Sequence, residues 1–232
     1  MCELDDYDYS LPFDIVHYAG KSLTEQCNLL GIPLLKLSMS FSGKPEPAVL
    51  EYFRDRGFEG RHCEGKYIFL IIHALILDKL PVYNEYIAGS RRLAASTPMK
   101  LQAQQLCRYM EICLEEILTT NGIAFKNNVE EILCEKEAAD TYPEVAIEFA
   151  QRVLGHLNRD SLYTLAHVMA LDADKLFRGW PDLILVNDDE MRLVEVKGKE
   201  SLSVNQLYTL HHLKHWFDNI SVVRVRKKPG IA

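Results

Sequence analysis

The chain has 232 residues, 48% of them hydrophobic and 25% charged, a balance that fits a globular protein with one sizeable core or two small ones and excludes a disordered or fibrous chain. The six cysteines (Cys2, Cys27, Cys63, Cys107, Cys113, Cys134) have no C-x-x-C spacing and follow no signal peptide, so reduced intracellular thiols are expected in place of a disulfide framework or a zinc site. A net charge of −7 argues against a polyanionic partner for the chain as a whole, yet residues 175–232 carry ten Lys/Arg against seven Asp/Glu, a local +3 that leaves −10 on the rest.

In chain order, residues 1–44 form an acidic N-terminal segment expected to pack on the core. It begins "CELDDYDY" and continues with "FDIVHYAG" and "IPLLKLSMSFSG", which read as strands or an irregular cover. A helix is expected near Pro47–Arg56, with Val49, Leu50 and Phe53 on one face and Gly57 as its stop. "FEGRHCEG" reads as a loop. The apolar run from Tyr67 to Leu77 is too short to span a bilayer, so a buried helix over about Lys66–Leu80 is expected and no membrane partner. Thr97 and Pro98 resemble an N-cap and first-turn proline of a long helix to about Leu118, stopping near Asn121–Gly122. Helical periodicity recurs around Asn128–Glu137, Pro143–Leu157 and Asp160–Ala170. Beyond residue 180 the pattern is strand, strand, helix, strand. The expected fold is therefore mixed α/β: a helical part, residues 45–172, packed on a small mixed sheet in residues 173–232.

The stretch "RGWPDLILVNDDEMRLVEVKGKESLSVNQ" carries the chemistry. "DLILV" and "RLVEVK" flank a turn-like "NDDE" and read as a β-hairpin. Residues i and i+2 share a strand face, so Glu195 and Lys197 point one way while Val194 and Val196 pack on the other. Asp182 can join them across the hairpin. Burying such charges costs several kcal/mol unless they are paired or bind metal. Two carboxylates make a hard oxygen site suited to Mg²⁺ or Mn²⁺, beside which Lys197 is placed to orient or deprotonate a water and to neutralise phosphate charge. Singly, Glu-x-Lys is often a solvated ion pair and Pro-Asp a strand-start dipeptide. Together they form the PD-(D/E)xK nuclease pattern.

"RGWPDLILV…LVEVKGKESLSVNQ" resembles the VRR-NUC type of that class, and "VLEYFRDRGFEGRHCEGKYIFLIIHALILD" resembles a second block of the Fanconi-associated nuclease group. The resemblance spans residues 45–232. It implies a metal-dependent endonuclease and 5′ exonuclease acting on 5′ flaps and other branched DNA in repair, located in the nucleus of a eukaryote or the cytoplasm of a bacterium. Carried over, the metal ligands fall on Glu64, Asp182, Glu195 and the main-chain carbonyl of Val196, and the catalytic lysine on Lys197. Gln206 and Arg178 are the candidate substrate contacts, although Ser203 to Gln206 is also a capping box, which alone would explain the glutamine. Where relatives commonly carry Asp-Arg, this chain has Glu200-Ser201 in a shorter loop.

Two other patterns stay open. Arg224, Arg226, Lys227 and Lys228 could meet phosphates or form a solvated tail after an edge strand. His211 and His215 have the i, i+4 spacing of zinc ligands without an acidic partner and are expected at the surface. Two rivals remain: a Holliday-junction resolvase acting as a homodimer, and a non-catalytic DNA-binding scaffold.

Overall fold

The structure, a computed structural model, describes residues 13–84, 86–87, 89–105, 110–142, 145–171 and 173–228. The chain divides into two compact units, one of Met1–Glu64 with Arg178–Ala232 and one of Gly65–Phe177. The acidic start "CELDDYDY", Cys2 and Cys107 lie outside the described residues.

The first unit is built on a mixed sheet of β1 (Leu34–Met39), β2 (Glu59–His62), β3 (Leu183–Val186), β4 (Met191–Lys197) and β5 (Ile220–Lys227), in the order β1-β5-β4-β3-β2. β1, β5 and β4 run parallel, while β3 is antiparallel to β4 and to β2. The hairpin forms as its sequence predicts. Asn187 closes it by accepting from Asp189 and Glu190 N–H through its side chain, the local bonding that suits asparagine to turns. One sheet face is apolar. Leu183 and Leu185 of β3, Val194 and Val196 of β4, and Val223 and Val225 of β5 form a cluster with Val49 and Phe53 of the helix Glu46–Arg54. Each fully buried aliphatic side chain there stabilises by about 1.5–3 kcal/mol. The alternating residues Glu195 and Lys197 are thereby turned to the other face.

Helices on that other side start at serine caps. Ser22 caps Leu23–Leu30 and Ser203 caps Val204–Leu213, both with the reciprocal glutamate or glutamine bond of a full capping box. The buried Gln26 donates to the Leu202 carbonyl and accepts from the Leu202 N–H, fixing the chain one residue before the Ser203 cap.

The second unit is helical in its described residues. Its centre is Lys66–Ile76, in which every residue from Tyr67 to Ile76 is buried. Asn128 and Thr120 donate to the carbonyls of Ala74 and Leu75, supplying partners where that helix ends. No helix among the described residues is long and apolar enough to cross a membrane.

Several expectations are corrected. "FDIVHYAG" contains a short helix, Ile15–Ala19, because the Asp14 carboxylate accepts from the N–H groups of Val16 and His17. "FEGRHCEG" is not all loop, since Glu59–His62 forms edge strand β2. Its signal is masked by Gly60, whose missing side chain admits Leu50 and Leu185; an added Cβ would sit 2.6 and 2.5 Å from their methyls. The single long helix expected after Pro98 is interrupted at Glu115, between Met110–Leu114 and Glu116–Thr119; it is helical over Met99–Gln105, and its continuity across residues 106–109 lies outside the described residues. β5 is not an edge strand, being flanked by β1 and β4. His211 is buried at 8% exposure beside Phe13, so its role is packing.

Candidate active site

The β3–β4 register pairs Leu183 with Val194, and one residue back Asp182 stands opposite Glu195. There the ladder bond gives way to a side-chain bond: the Val196 N–H donates to Asp182 Oδ2 at 2.8 Å. On the opposite side the Asp182 carbonyl accepts from the Cys63 N–H at 2.7 Å, tying the end of β2 to the same residue. Asp182 is thus held from both neighbouring strands.

Glu195 is wholly buried. Its Oε1 lies 2.8 Å from the Lys197 ammonium and accepts from Gln206 Nε2 at 2.5 Å, while Oε2 is buried with no partner. Burial first, and the Asp182 carboxylate second, push the Glu195 carboxyl up to about 8 against the pull of Lys197. Burial also raises Asp182, opposed by the Val196 N–H and Lys197. Gln206 serves both readings at once. Its Oε1 accepts from the Ser203 N–H in the capping box while its Nε2 fixes Glu195.

Glu64 joins from the segment after β2. Ligand atoms of His62, Glu64 and Asp182 all lie within 4.8 Å of one another, and His62 Nε2 is 4.0 Å from Glu64 Oε1. Glu64 is the one non-glycine with positive φ, 45°, among the described residues, a conformation that costs about 1 kcal/mol for an L residue. Such strain concentrates at functional sites. Asp182 therefore sits between two groups, Glu195 with Lys197 on one side and His62 with Glu64 on the other.

Arg178 stands apart. Its side chain is exposed, and its carbonyl accepts from the Thr209 hydroxyl at 2.5 Å, which anchors the loop to the helix Val204–Leu213. Gly179 explains how closely that loop approaches. With φ 73°, an added Cβ would lie 2.5 Å from the Asn205 carbonyl and 2.7 Å from the Gln206 nitrogen, both backbone atoms. Gly179→Ala is expected to lower stability by roughly 3 kcal/mol or more and to displace Gln206 from Glu195. A urea midpoint equal to wild type would contradict this.

Two residues were missed by sequence reasoning. His62 lies in "FEGRHCEG", which reads as a loop, although the alternation His62-x-Glu64 is a readable signal. Glu46, in the first turn of the helix Glu46–Arg54, lies near enough to raise the Asp182 carboxyl further, and its Oε2 is buried without a partner. Its signal was an acidic residue opening a helix between two prolines.

The donor set suits a hard cation. The group whose ligand atoms lie within 4.8 Å of one another is two carboxylates and an imidazole, Glu64, Asp182 and His62, with the Glu195 carboxyl interacting with Asp182 from the next strand; the carboxylate oxygens suit a hard divalent ion.

An Asp at the head of the central antiparallel strand, followed on the next strand by Glu-x-Lys, defines the class: this is a PD-(D/E)xK fold. Residues 127–227 match the VRR-NUC domain family, in line with the resemblance read from the sequence. Two crystal structures of paFAN1, bound to 5′-flap DNA with a gap and carrying a 2-nucleotide or a 1-nucleotide flap, share the fold with TM-scores of 0.60. Identity is 21% over 86% of this chain in the first and 20% over 93% in the second. The chain spans only 38% and 46% of the length of those two chains. No curated protein sequence matches it.

Proposed function

We propose that the chain is a metal-dependent DNA nuclease that hydrolyses phosphodiester bonds in flapped or otherwise branched DNA, with a role in repair. The observation that carries this reading is the placement of Asp182 between the Glu195–Lys197 pair and Glu64, an arrangement a structural ion pair does not need. The paFAN1 structures, which share this fold over part of their length, are bound to 5′-flap DNA, which supports that substrate class here.

Glu64, Asp182, Glu195 and the Val196 carbonyl would hold Mg²⁺ or Mn²⁺. When bound, the metal supplies positive charge to phosphate oxygens and lowers the pKa of a ligated water. The chain's own residues do the positioning. Gln206 holds the Glu195 carboxyl by its Oε1 through a 2.5 Å bond, leaving Oε2 for a cation. Lys197, held 2.8 Å from Glu195, points its ammonium at the space beside Asp182, where it orients the attacking water and neutralises charge on the phosphate. The water oxygen bonds to phosphorus and gives up a proton to solvent as the bond from phosphorus to the leaving sugar oxygen breaks, and that oxygen takes up a proton from solvent, so that water divides between a phosphate end and a sugar hydroxyl.

A panel of labelled 5′-flap, fork, four-way-junction and single-stranded DNA with Mg²⁺, Mn²⁺ or EDTA tests the reading. Cleavage of flap and fork with either ion and none with EDTA is expected. Cleavage confined to paired, symmetric cuts in four-way junctions would replace it with the resolvase reading, and DNA binding without cleavage would replace it with the scaffold reading.

A second expectation follows from Glu195. With its carboxyl at about 8, most of it is protonated at pH 7 before metal arrives, so metal uptake must release close to one proton. Affinity for Mn²⁺ should then rise about tenfold per pH unit between roughly pH 6 and 8. Calorimetry in two buffers of different ionisation heat reads the proton directly. Heat independent of buffer would show that Glu195 does not take part.

A further inference from the structure

We infer a phosphate-binding cleft for the DNA backbone at the C-terminal ends of β4 and β5, formed by Lys199, Arg224, Arg226 and Lys227 against Phe41. The inference rests on the nuclease reading and names how its substrate is held. The cleft has a volume of about 600 Å³, and its lining includes those four cations, Phe41 and Gly198, with no acidic residue. In a chain of net charge −7 such a concentration is local and specific.

Three observations give the cleft its occupant. First, like charges stand directly opposite one another on one face of the sheet: Lys197 pairs with Arg224, and Arg224 with Lys36. Unlike Lys197, which has Glu195, the exposed Lys36 and half-buried Arg224 show no carboxylate partner among the described ion pairs. Like charges in directly opposed positions destabilise a sheet, and an anion lying over them removes that penalty. Three strands span about 10 Å, over which one strand of a duplex carries about three phosphates. Second, Arg224 is partly spent: Nη2 donates to the Glu200 carbonyl at 3.3 Å, while Nε is buried with no partner. The side chain is thus fixed by the backbone with donor capacity left over. Third, the Glu200 carboxylate is turned to the main chain, its Oε1 accepting from the Gly198 N–H at 3.0 Å, and among the described ion pairs it pairs with none of the four cations.

Position makes the ligand a polymer. The cleft begins with Gly198 and Lys199, directly after Lys197, so a backbone whose scissile phosphate lies at Lys197 would meet it within a few nucleotides. Lys199, Arg226 and Lys227 are exposed and free to reach phosphate oxygens, with Lys227 lying over the Phe41 ring at 5.8 Å. Such contacts position a backbone and read no sequence.

The test uses the full chain and labelled 5′-flap DNA in EDTA, with binding read by anisotropy from 50 to 200 mM salt. For the K199A/R226A/K227A variant, Kd is expected to weaken about tenfold at 100 mM salt, and the slope of log Kd against log salt to fall by about 2–3. The charge-keeping K199R/R226K/K227R variant should retain most of the slope. If circular dichroism shows the alanine variant misfolded, the pair K199E/K227E is measured in its place, with the same direction expected. A Kd within twofold of wild type and an unchanged slope would overturn the cleft. Wild type and Asp182→Asn, assayed alongside with Mg²⁺, separate the two ideas: if wild type cleaves no faster than Asp182→Asn, the nuclease reading fails while the binding result on the cleft stands.

Discussion

Replacing Asp182 or Lys197 with alanine is expected to cut the rate of flap cleavage roughly a thousandfold or more, with far-ultraviolet circular dichroism unchanged. Asp182 is the residue through which both halves of the site meet: its Oδ2 is bound by the Val196 N–H, and its carboxylate stands with those of Glu64 and Glu195. Lys197 is the one cation paired with Glu195 among the described residues. Because these groups act on one transition state, the double variant should be scarcely slower than either single one. Losses that multiply would show that the residues work separately. Near-normal turnover by Asp182→Ala with Mg²⁺ would remove the mechanism altogether.

The second large effect is opposite in sign for stability and activity. In the metal-free protein Glu195 titrates at about 8 against 4.5 in an unfolded chain, so the folded state holds its proton more tightly. The contribution is therefore most favourable at low pH, falls as pH rises from about 4.5 to about 8, and levels off above that. By pH 7 the difference is on the order of 3 kcal/mol. Glu195→Gln keeps the shape, leaves an amide oxygen for Lys197 and Gln206, and carries no charge to bury. In EDTA at pH 8 it should raise Tm by roughly 5–10 °C over wild type and flatten the decline between pH 5 and 8, while abolishing cleavage. A variant less stable than wild type under these conditions would mean that the Lys197 ion pair outweighs the burial of the carboxylate.

What the sequence disclosed depended on periodicity. In "RLVEVK" the strand alternation places Glu195 and Lys197 on one face and the valines on the other, and the structure has that alternation with Val194 and Val196 in the core. The Ser203 cap was equally legible, because a capping box is a local pattern. β2 was not: four residues containing Gly60 show no alternation, and the strand exists because β3 offers it an edge and two leucines fill the glycine's space. The short helix at Ile15–Ala19 likewise depends on Asp14 capping it, in a segment whose apolar residues read as a strand. The Gln206 question had no answer in sequence, since one amide can cap a helix with its oxygen and hold Glu195 with its nitrogen. Glu46 and His62 escaped because their part in the site comes from the sheet bringing distant segments to Asp182.

Diffraction from crystals soaked in Mn²⁺, collected at the manganese absorption edge, tests the centre most directly. The account predicts an anomalous peak within about 2.0–2.3 Å of carboxylate oxygens of both Asp182 and Glu195, with Glu64 or water completing the shell, and no such peak in Asp182→Asn crystals. A well-ordered Asp182–Glu195–Lys197 cluster without manganese, or with the ion bound elsewhere, would contradict it.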